Sequence, residues 1–201
     1  MGDRAEKGLV RPTWRSALVP VPLLILVLGA FAAPAPAGLA ATGAVAIVPL
    51  ADEVGFHHEL VRWASLRLGE MLAGAGFQVV PLDETARLMR QMGLRDADLI
   101  GLSRPAELGA RLGAGVVITG RLTRLDLDPP GSGLFPPVTT PKEVEGPAEA
   151  FMILEMRVLE VPTRHVLLRT EVSGQAAGPL RLRLAAERAL ADFLRQLRNA
   201  P

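Results

Sequence analysis

The chain has 201 residues, of which 49% are hydrophobic and 21% charged, with a formal net charge of +1 and no cysteine. The apolar fraction is too high and the net charge too small for a disordered chain, and the length suits one ordinary domain with residues left over for a leader or tail. The lack of cysteine excludes a disulfide framework, a zinc site with cysteine ligands, a thiol nucleophile and a lipid-modified cysteine. Near-neutral charge provides no general attraction to nucleic acid.

The first 37 residues have the composition of a signal peptide or a membrane anchor. Four basic residues precede an uncharged, strongly apolar run at 17–33, and small residues around Ala32 and Ala37 then suit cleavage by signal peptidase. Left uncleaved, the run would form a helix of about 25 Å, at the lower limit for crossing a bilayer. A third interpretation is a buried core helix, because charged residues are absent between Arg15 and Asp52.

Either form of the leader places the rest of the chain outside the cytoplasm, because basic residues before an apolar segment stay on the cytoplasmic side. We therefore expect an exported protein, periplasmic or otherwise associated with the cell envelope. A bacterial lipoprotein requires a cysteine just after its apolar run, and this chain has none. The sequence thus predicts export without a cysteine-linked lipid.

Residues 38–201 are predicted to form a single α/β domain with an insertion at 128–147. The predicted elements, in chain order, are a strand at 44–50, a helix at 58–75, a strand at 77–81, helices at 83–92 and 105–112, strands at 116–123, 152–158 and 166–172, and a helix at 180–197. The insertion has six Pro and three Gly in twenty positions, which is typical of a loop or a mobile segment. This order predicts a two-layer sandwich, in which a mixed sheet of about five strands carries helices on one face.

Two kinds of periodicity support these elements. Between residues 61 and 72 the apolar side chains recur every three or four positions, as on the buried face of a helix. In the strand at 152–158 the apolar residues alternate with others. Glu155 and Arg157 are therefore expected on a solvated face of this strand.

Three segments resemble a group of bacterial envelope proteins. They are 45–50 (VAIVPL), 110–123 (ARLGAGVVITGRLT) and 157–169 (RVLEVPTRHVLLR). The first is similar to a strand that ends in proline and an apolar residue, the second to a helix-to-strand crossing, and the third to a hairpin. The group comprises the curli secretion channel CsgG, the penicillin-binding-protein activator LpoB and the N-terminal domain of TolB, and the resemblance covers about residues 44–174.

The resemblance implies a role in binding or assembly, because the group shares no catalytic residues. The partners would be other envelope proteins, in secretion, in envelope assembly or in the regulation of a cell-wall synthase. Many members are lipoproteins, and this chain departs from them in having no cysteine. The curli channel also crosses a membrane with hairpins, whereas the insertion at 128–147 is too short and too rich in proline to supply two strands of about 9–11 residues.

Two histidines and three carboxylates follow the first predicted strand. They are His57, His58, Asp52, Glu53 and Glu59. A metal would need a further ligand from elsewhere, for which only His165 remains, and adjacent histidines do not share a helix face. A solvated helix start is therefore expected, and a small-ligand or metal-binding sensor that uses this loop is retained as the alternative function.

Other motifs for chemistry have ordinary structural explanations. Gly109, Gly113 and Gly115 close a helix and open a strand, which is the reverse of a dinucleotide fingerprint. Asp96 and Asp98 fit a solvated loop better than an acid–base pair. The arginines of the last predicted helix are interrupted by acidic residues and lack interleaved aromatic side chains, unlike a nucleic-acid surface. We therefore predict a protein that is not an enzyme, with no catalytic residue, cofactor, metal or nucleic-acid partner.

Three residues are the candidate contacts to a partner protein: Trp63, Leu134 and Phe135. Trp63 falls between the apolar stripe and the polar face of the first predicted helix. It is either a core residue or a partner-facing anchor, since tryptophan is enriched in interface hot spots. Leu134 and Phe135 are apolar residues of the insertion, which is otherwise expected to be a disordered loop. The sequence as a whole predicts a non-enzymatic, exported protein-binding module of the envelope.

Overall fold

The computed structural model describes residues 43–55, 57–99, 101–128 and 148–200. Its helices and strands are β1 (Ala44–Ile47), β2 (Ala51–Asp52), α1 (His58–Gly74), α2 (Leu82–Gln91), a 3-10 turn (Asp96–Leu99), α3 (Ser103–Arg111), β3 (Ala114–Asp128), β4 (Glu149–Glu160), β5 (Val166–Ala177) and α4 (Arg181–Arg198). The leader and residues 129–147 of the insertion, with Leu134 and Phe135, lie outside the described residues. Among the described residues, no helix is both long enough and apolar enough to span a membrane.

The five strands form one mixed sheet, which confirms the predicted α/β class. The sheet order is β1–β3–β4–β5, and the short β2 pairs with β3 on the same side as β1. β1 and β2 run parallel to β3, whereas β3, β4 and β5 are antiparallel. The predicted turn at 161–165 joins β4 to β5. The predicted strand at 77–81 makes only one bridge, from Val79 to Val45, and lies beside β1.

Helices pack on both faces of the sheet, whereas the sequence predicts them on one face. α1 and α4 cover a main core around Ile47, Leu68 and Phe193. α2 and α3 cover a smaller core on the opposite face, around Leu108 and Val117. The reason lies in β1, whose side chains are apolar and buried on both sides of the strand, so that each face requires a cover.

Two glycines allow helices to lie directly on strands. A Cβ atom at Gly174 of β5 would lie 1.8 Å from the carbonyl oxygen of Ala185 in α4. A Cβ atom at Gly109 of α3 would lie 2.5 Å from Cγ2 of Val117 in β3. Glycine at these positions lets another chain segment approach the backbone closely. Gly109 therefore allows α3 to pack closely on β3, on the face of the sheet that carries the smaller core.

The position of α1 is fixed by a buried serine. The Ser65 hydroxyl accepts a hydrogen bond from the backbone N–H of Leu50 at 2.9 Å and donates one to the carbonyl oxygen of Val61 at 2.7 Å. Because a buried backbone N–H without a partner costs about 1–3 kcal/mol, Ser65 ties the loop after β1 to α1. This tie holds α1 against the segment between β1 and β2.

Candidate interaction surface

A groove lies between the N-terminal halves of α1 and α4, and we call it the α1–α4 groove. Its lining includes Leu60, Trp63, Leu66, Leu180, Leu182 and Arg183. The cavity measures about 650 Å³, within the size range of pockets that hold ligands. Apolar side chains from both helices therefore surround one open space.

Leucine side chains are exposed around the groove. Leu180 is 62% exposed and Leu66 is 49% exposed, and Leu184, about one helical turn beyond Leu180, is exposed as well. Single exposed leucines are common on protein surfaces, whereas larger groups of exposed apolar side chains are typical of interaction sites. Of this group, the sequence predicts only Trp63 as a candidate contact.

Trp63 is half-buried, because it packs against the main core and also lines the groove. The guanidinium carbon of Arg183 lies 5.6 Å from the centre of the Trp63 ring, within the range of a cation–π interaction. Both interpretations of this residue, as a core side chain and as a partner anchor, are compatible with its position. Its contact with a partner stays a prediction.

An ion pair joins α1 to α4 beside the groove. Nε of Arg67 lies 2.9 Å from Oε1 of Glu187, and Nη1 of Arg67 lies 2.8 Å from Oε2 of Glu70. The hydrogen bond to Glu70, followed by the charge of Glu187, raises the pKa of the Arg67 guanidinium. Because all three groups are solvated, the pairs orient the helices more than they stabilise the fold.

Two other arginines at the groove have no such partner within the described residues. Arg62 and Arg183 both line the groove and are exposed, and neither forms an ion pair with a described carboxylate. The acidic side chain of the described lining is Glu59. The groove therefore combines an apolar lining with an excess of positive charge.

The opposite face of the sheet carries a carboxylate surrounded by arginines. Glu155 of β4 lies directly opposite Arg121 of β3, whose Nε donates to Glu155 Oε2 at 2.8 Å. Arg169 of β5 donates to Oε1 at 3.2 Å, and Nη2 of Arg157 lies 3.8 Å from the same oxygen. The sequence predicts Glu155 on a solvated face, and this is wrong. Only 9% of its side chain is exposed, because the arginines of three adjacent strands cover it.

These arginines hold the pKa of Glu155 below its ordinary value of 4.5, chiefly through the hydrogen bond from Arg121. Burial acts in the opposite direction and is outweighed. Hydrogen bonds to Glu155 and then to Glu53 raise the pKa of Arg121 itself. Since Glu53 directly follows β2, the cluster joins the end of this short strand to the three antiparallel strands.

The candidate metal ligands predicted from the sequence lie between the end of β2 and the start of α1. Asp52 accepts hydrogen bonds from the backbone N–H groups of Gly55 and His57, at 2.9 and 2.7 Å. Nδ1 of His58 lies 3.8 Å from Oδ2 of Asp52, with most of the ring exposed, and His165 lies in the exposed turn between β4 and β5. In the part of the chain that the structure describes, no three potential metal ligands come together.

Two further sequence motifs have local structural roles. Oδ2 of Asp98, in the 3-10 turn, accepts a hydrogen bond from the backbone N–H of Arg95 at 2.8 Å. Gly113 has a φ of 66° just after α3, the left-handed conformation that commonly ends a helix. Both residues thus shape turns.

No protein-family model matches the sequence, and no curated protein matches it. Among solved structures, the lipoprotein GNA1162 from Neisseria meningitidis matches with a TM-score of 0.52 and 16% identity, over 79% of this chain and 99% of that one. The chain has the fold of GNA1162. GNA1162 is a lipoprotein, whereas this chain has no cysteine that could carry a lipid.

Two further structures match less closely. The hypothetical protein CT253 from Chlamydia trachomatis has a TM-score of 0.47 and 10% identity, over 79% of this chain and 96% of that one. The C-terminal domain of LpoB from Escherichia coli has a TM-score of 0.41 and 15% identity, over 66% of this chain and 82% of that one. LpoB, which belongs to the group named from the sequence segments, is thus among the solved structures that match.

Proposed function

We propose that this chain is a non-enzymatic protein of the bacterial cell envelope, exported by its leader, which binds another envelope protein through the α1–α4 groove. The observation that carries the proposal is the exposure of Leu66 and Leu180 beside the half-buried Trp63. Covering apolar surface with a partner gains about 25 cal/mol for each Å² removed from water. An anchor of this kind, at the centre of an interface, is where binding energy concentrates.

Two further features support the envelope assignment. The leader at 1–37 has the pattern of an export signal. GNA1162, whose fold the chain shares, is a lipoprotein. From the resemblance, the process would be secretion, envelope assembly or the regulation of a cell-wall synthase.

Recovery of partners from chemically crosslinked envelopes tests this proposal. We expect the full-length chain to recover one particular envelope protein repeatedly, and its Leu66→Asp variant to recover at least about tenfold less. The reason is that the new carboxylate would lose its water on binding without gaining a partner. Leu102→Asp is the matched control, because Leu102 is also an exposed leucine but lies just before α3, which packs on the opposite face of the sheet.

Each outcome of this recovery has a definite meaning. Repeated failure of the wild-type chain to recover any envelope protein would contradict the proposed function. Equal recovery by the wild type and by Leu66→Asp would instead show that the partner binds elsewhere. Circular dichroism of both variants confirms that they remain folded.

A further inference from the structure

We infer that the segment of the partner that occupies the α1–α4 groove is both apolar and acidic. Its apolar side chains fill the space between Leu66 and Leu180 over Trp63, and its carboxylates pair with Arg62 and Arg183. This inference rests on the proposed function, since it describes the chemistry of the partner at the same groove. Three observations on the charges of the groove support it.

The first observation is the contrast between neighbouring arginines. Arg67, which lies beyond the groove on α1, is satisfied by Glu70 and Glu187. Arg62 and Arg183 line the groove itself and pair with no carboxylate of the described chain. The electrostatic potentials of two proteins that bind specifically are complementary at their interface. Exposed guanidinium groups around an apolar groove therefore match a partner that brings carboxylates.

The second observation is the start of α4. This helix has no acidic residue in its first turn, and its N-cap residue, Leu180, makes no side-chain hydrogen bond to the helix. The N-terminus of a helix carries a partial positive charge that acidic residues usually offset, whereas Arg183 adds to it. A carboxylate supplied by a partner would offset the helix charge and the guanidinium charge together.

The third observation is the placement of Arg183 over the Trp63 ring. A guanidinium that packs on an aromatic face is oriented by it, and its N–H groups lie in the plane of the group. Such a guanidinium binds a carboxylate with two parallel hydrogen bonds and little loss of side-chain freedom. The apolar and the charged parts of the groove are therefore in contact, and one segment of a partner can engage both.

Fluorescence titration with two synthetic peptides tests the inference. One peptide carries leucine and glutamate at helical spacing, and its twin has glutamine in place of each glutamate. The full-length chain has two tryptophans, so a Trp14→Phe background leaves Trp63 as the reporter. We expect the glutamate peptide to bind at least about tenfold more tightly than the glutamine peptide, and this ratio to fall when NaCl is raised from about 0.05 M to about 0.5 M.

Paired variants distinguish an effect of the two groove arginines from an effect of the overall charge of the protein. In the Arg62→Gln/Arg183→Gln chain, the ratio of the affinities for the glutamate and glutamine peptides should fall close to one. Arg87→Gln is the control, because Arg87 is an exposed arginine of α2, on the opposite face, and should leave the ratio unchanged. The inference is overturned if the two peptides bind equally, if neither binds, or if the double variant keeps the full ratio.

Other occupants of the groove would give different results. A wild-type dimer in sedimentation that Leu180→Asp abolishes would assign the groove to a second copy of the chain. Peptide binding that requires deletion of residues 129–147 would assign it to a segment of the same chain. Either result overturns the inference of an acidic partner.

The inference and the proposed function fail in distinguishable ways. If the wild type recovers no envelope protein, the proposed function is wrong. If the wild type recovers a partner that Leu66→Asp loses but Arg62→Glu/Arg183→Glu retains, the proposed function stands and the acidic chemistry is wrong. Loss of the partner with both variants, but not with Leu102→Asp, supports both.

Discussion

Replacement of Gly174 by alanine is expected to lower the free energy of unfolding by about 3 kcal/mol, at the upper end of usual overpacking effects. The added Cβ would lie 1.8 Å from the carbonyl oxygen of Ala185 and 2.9 Å from the backbone nitrogen of Ala189. Both are backbone atoms of α4, so no side-chain rotation relieves the clash and the helix must move away from β5. Because α4 brings Leu190 and Phe193 into the main core, this movement also opens the core. Equilibrium unfolding in urea measures the change.

The same substitution at Gly74 is the matched control. Gly74 is the last residue of α1, and an added Cβ there meets nothing within 4 Å. Since alanine favours helix more than glycine does, Gly74→Ala should leave the stability unchanged or raise it by up to about 1 kcal/mol. An unchanged urea midpoint for Gly174→Ala would contradict the close packing of α4 on β5, on which the shape of the α1–α4 groove depends.

Replacement of Glu155 by glutamine is expected to lower the free energy of unfolding by about 2 kcal/mol at neutral pH. The carboxylate accepts hydrogen bonds from Arg121 and Arg169 and lies close to Arg157. A neutral amide of the same shape leaves these guanidinium groups near one another without the negative charge that they share. The loss should appear as a lower urea midpoint, with little change in the slope of the unfolding free energy against urea concentration.

This effect should depend on pH in a defined direction. The pKa of Glu155 is lowered in the folded chain from its ordinary value of 4.5, so the carboxylate stabilises the fold fully above about pH 5. The stabilisation is then lost as the pH falls below 4.5 and through the lower pKa of the folded state. The stability difference between the wild type and Glu155→Gln should therefore shrink between about pH 6 and about pH 3.

Glu84→Gln provides the comparison for this series. Glu84 is an exposed residue of α2 whose carboxylate lies 3.9 Å from Arg87, so its replacement should change the stability by less than about 0.5 kcal/mol. A Glu155→Gln difference that stays constant on acidification would show that the carboxylate is not the group responsible.

The sequence predicts most elements because their signals are local. The apolar period predicts a helix at 58–75, and α1 spans His58–Gly74. The turn at 161–165 is likewise defined by its own residues, with Arg164 at a φ of 57°. The distribution of helices over the two faces is different, because it depends on how the chain crosses the sheet. The one available signal was β1, which is apolar on both sides and therefore needs two covers.

The candidate site is predictable only in part for the same reason. Trp63 is found from its residue type and its place on the helix, whereas the exposure of Leu66 and Leu180 depends on the distance between α1 and α4. The signal for the burial of Glu155 lies in the pairing of β3 with β4, because their antiparallel register places Arg121 directly opposite it. Alternation within a single strand could not reveal this neighbour.

The most direct test of partner binding at the α1–α4 groove is photocrosslinking in living cells with a benzophenone amino acid at position 180, and at position 102 as the control. Both native residues are exposed leucines, but only Leu180 lines the groove. We expect one discrete adduct with another envelope protein from position 180, none from position 102, and loss of the adduct when Leu66→Asp is added. No adduct from position 180, or equal adducts from both positions, would contradict it.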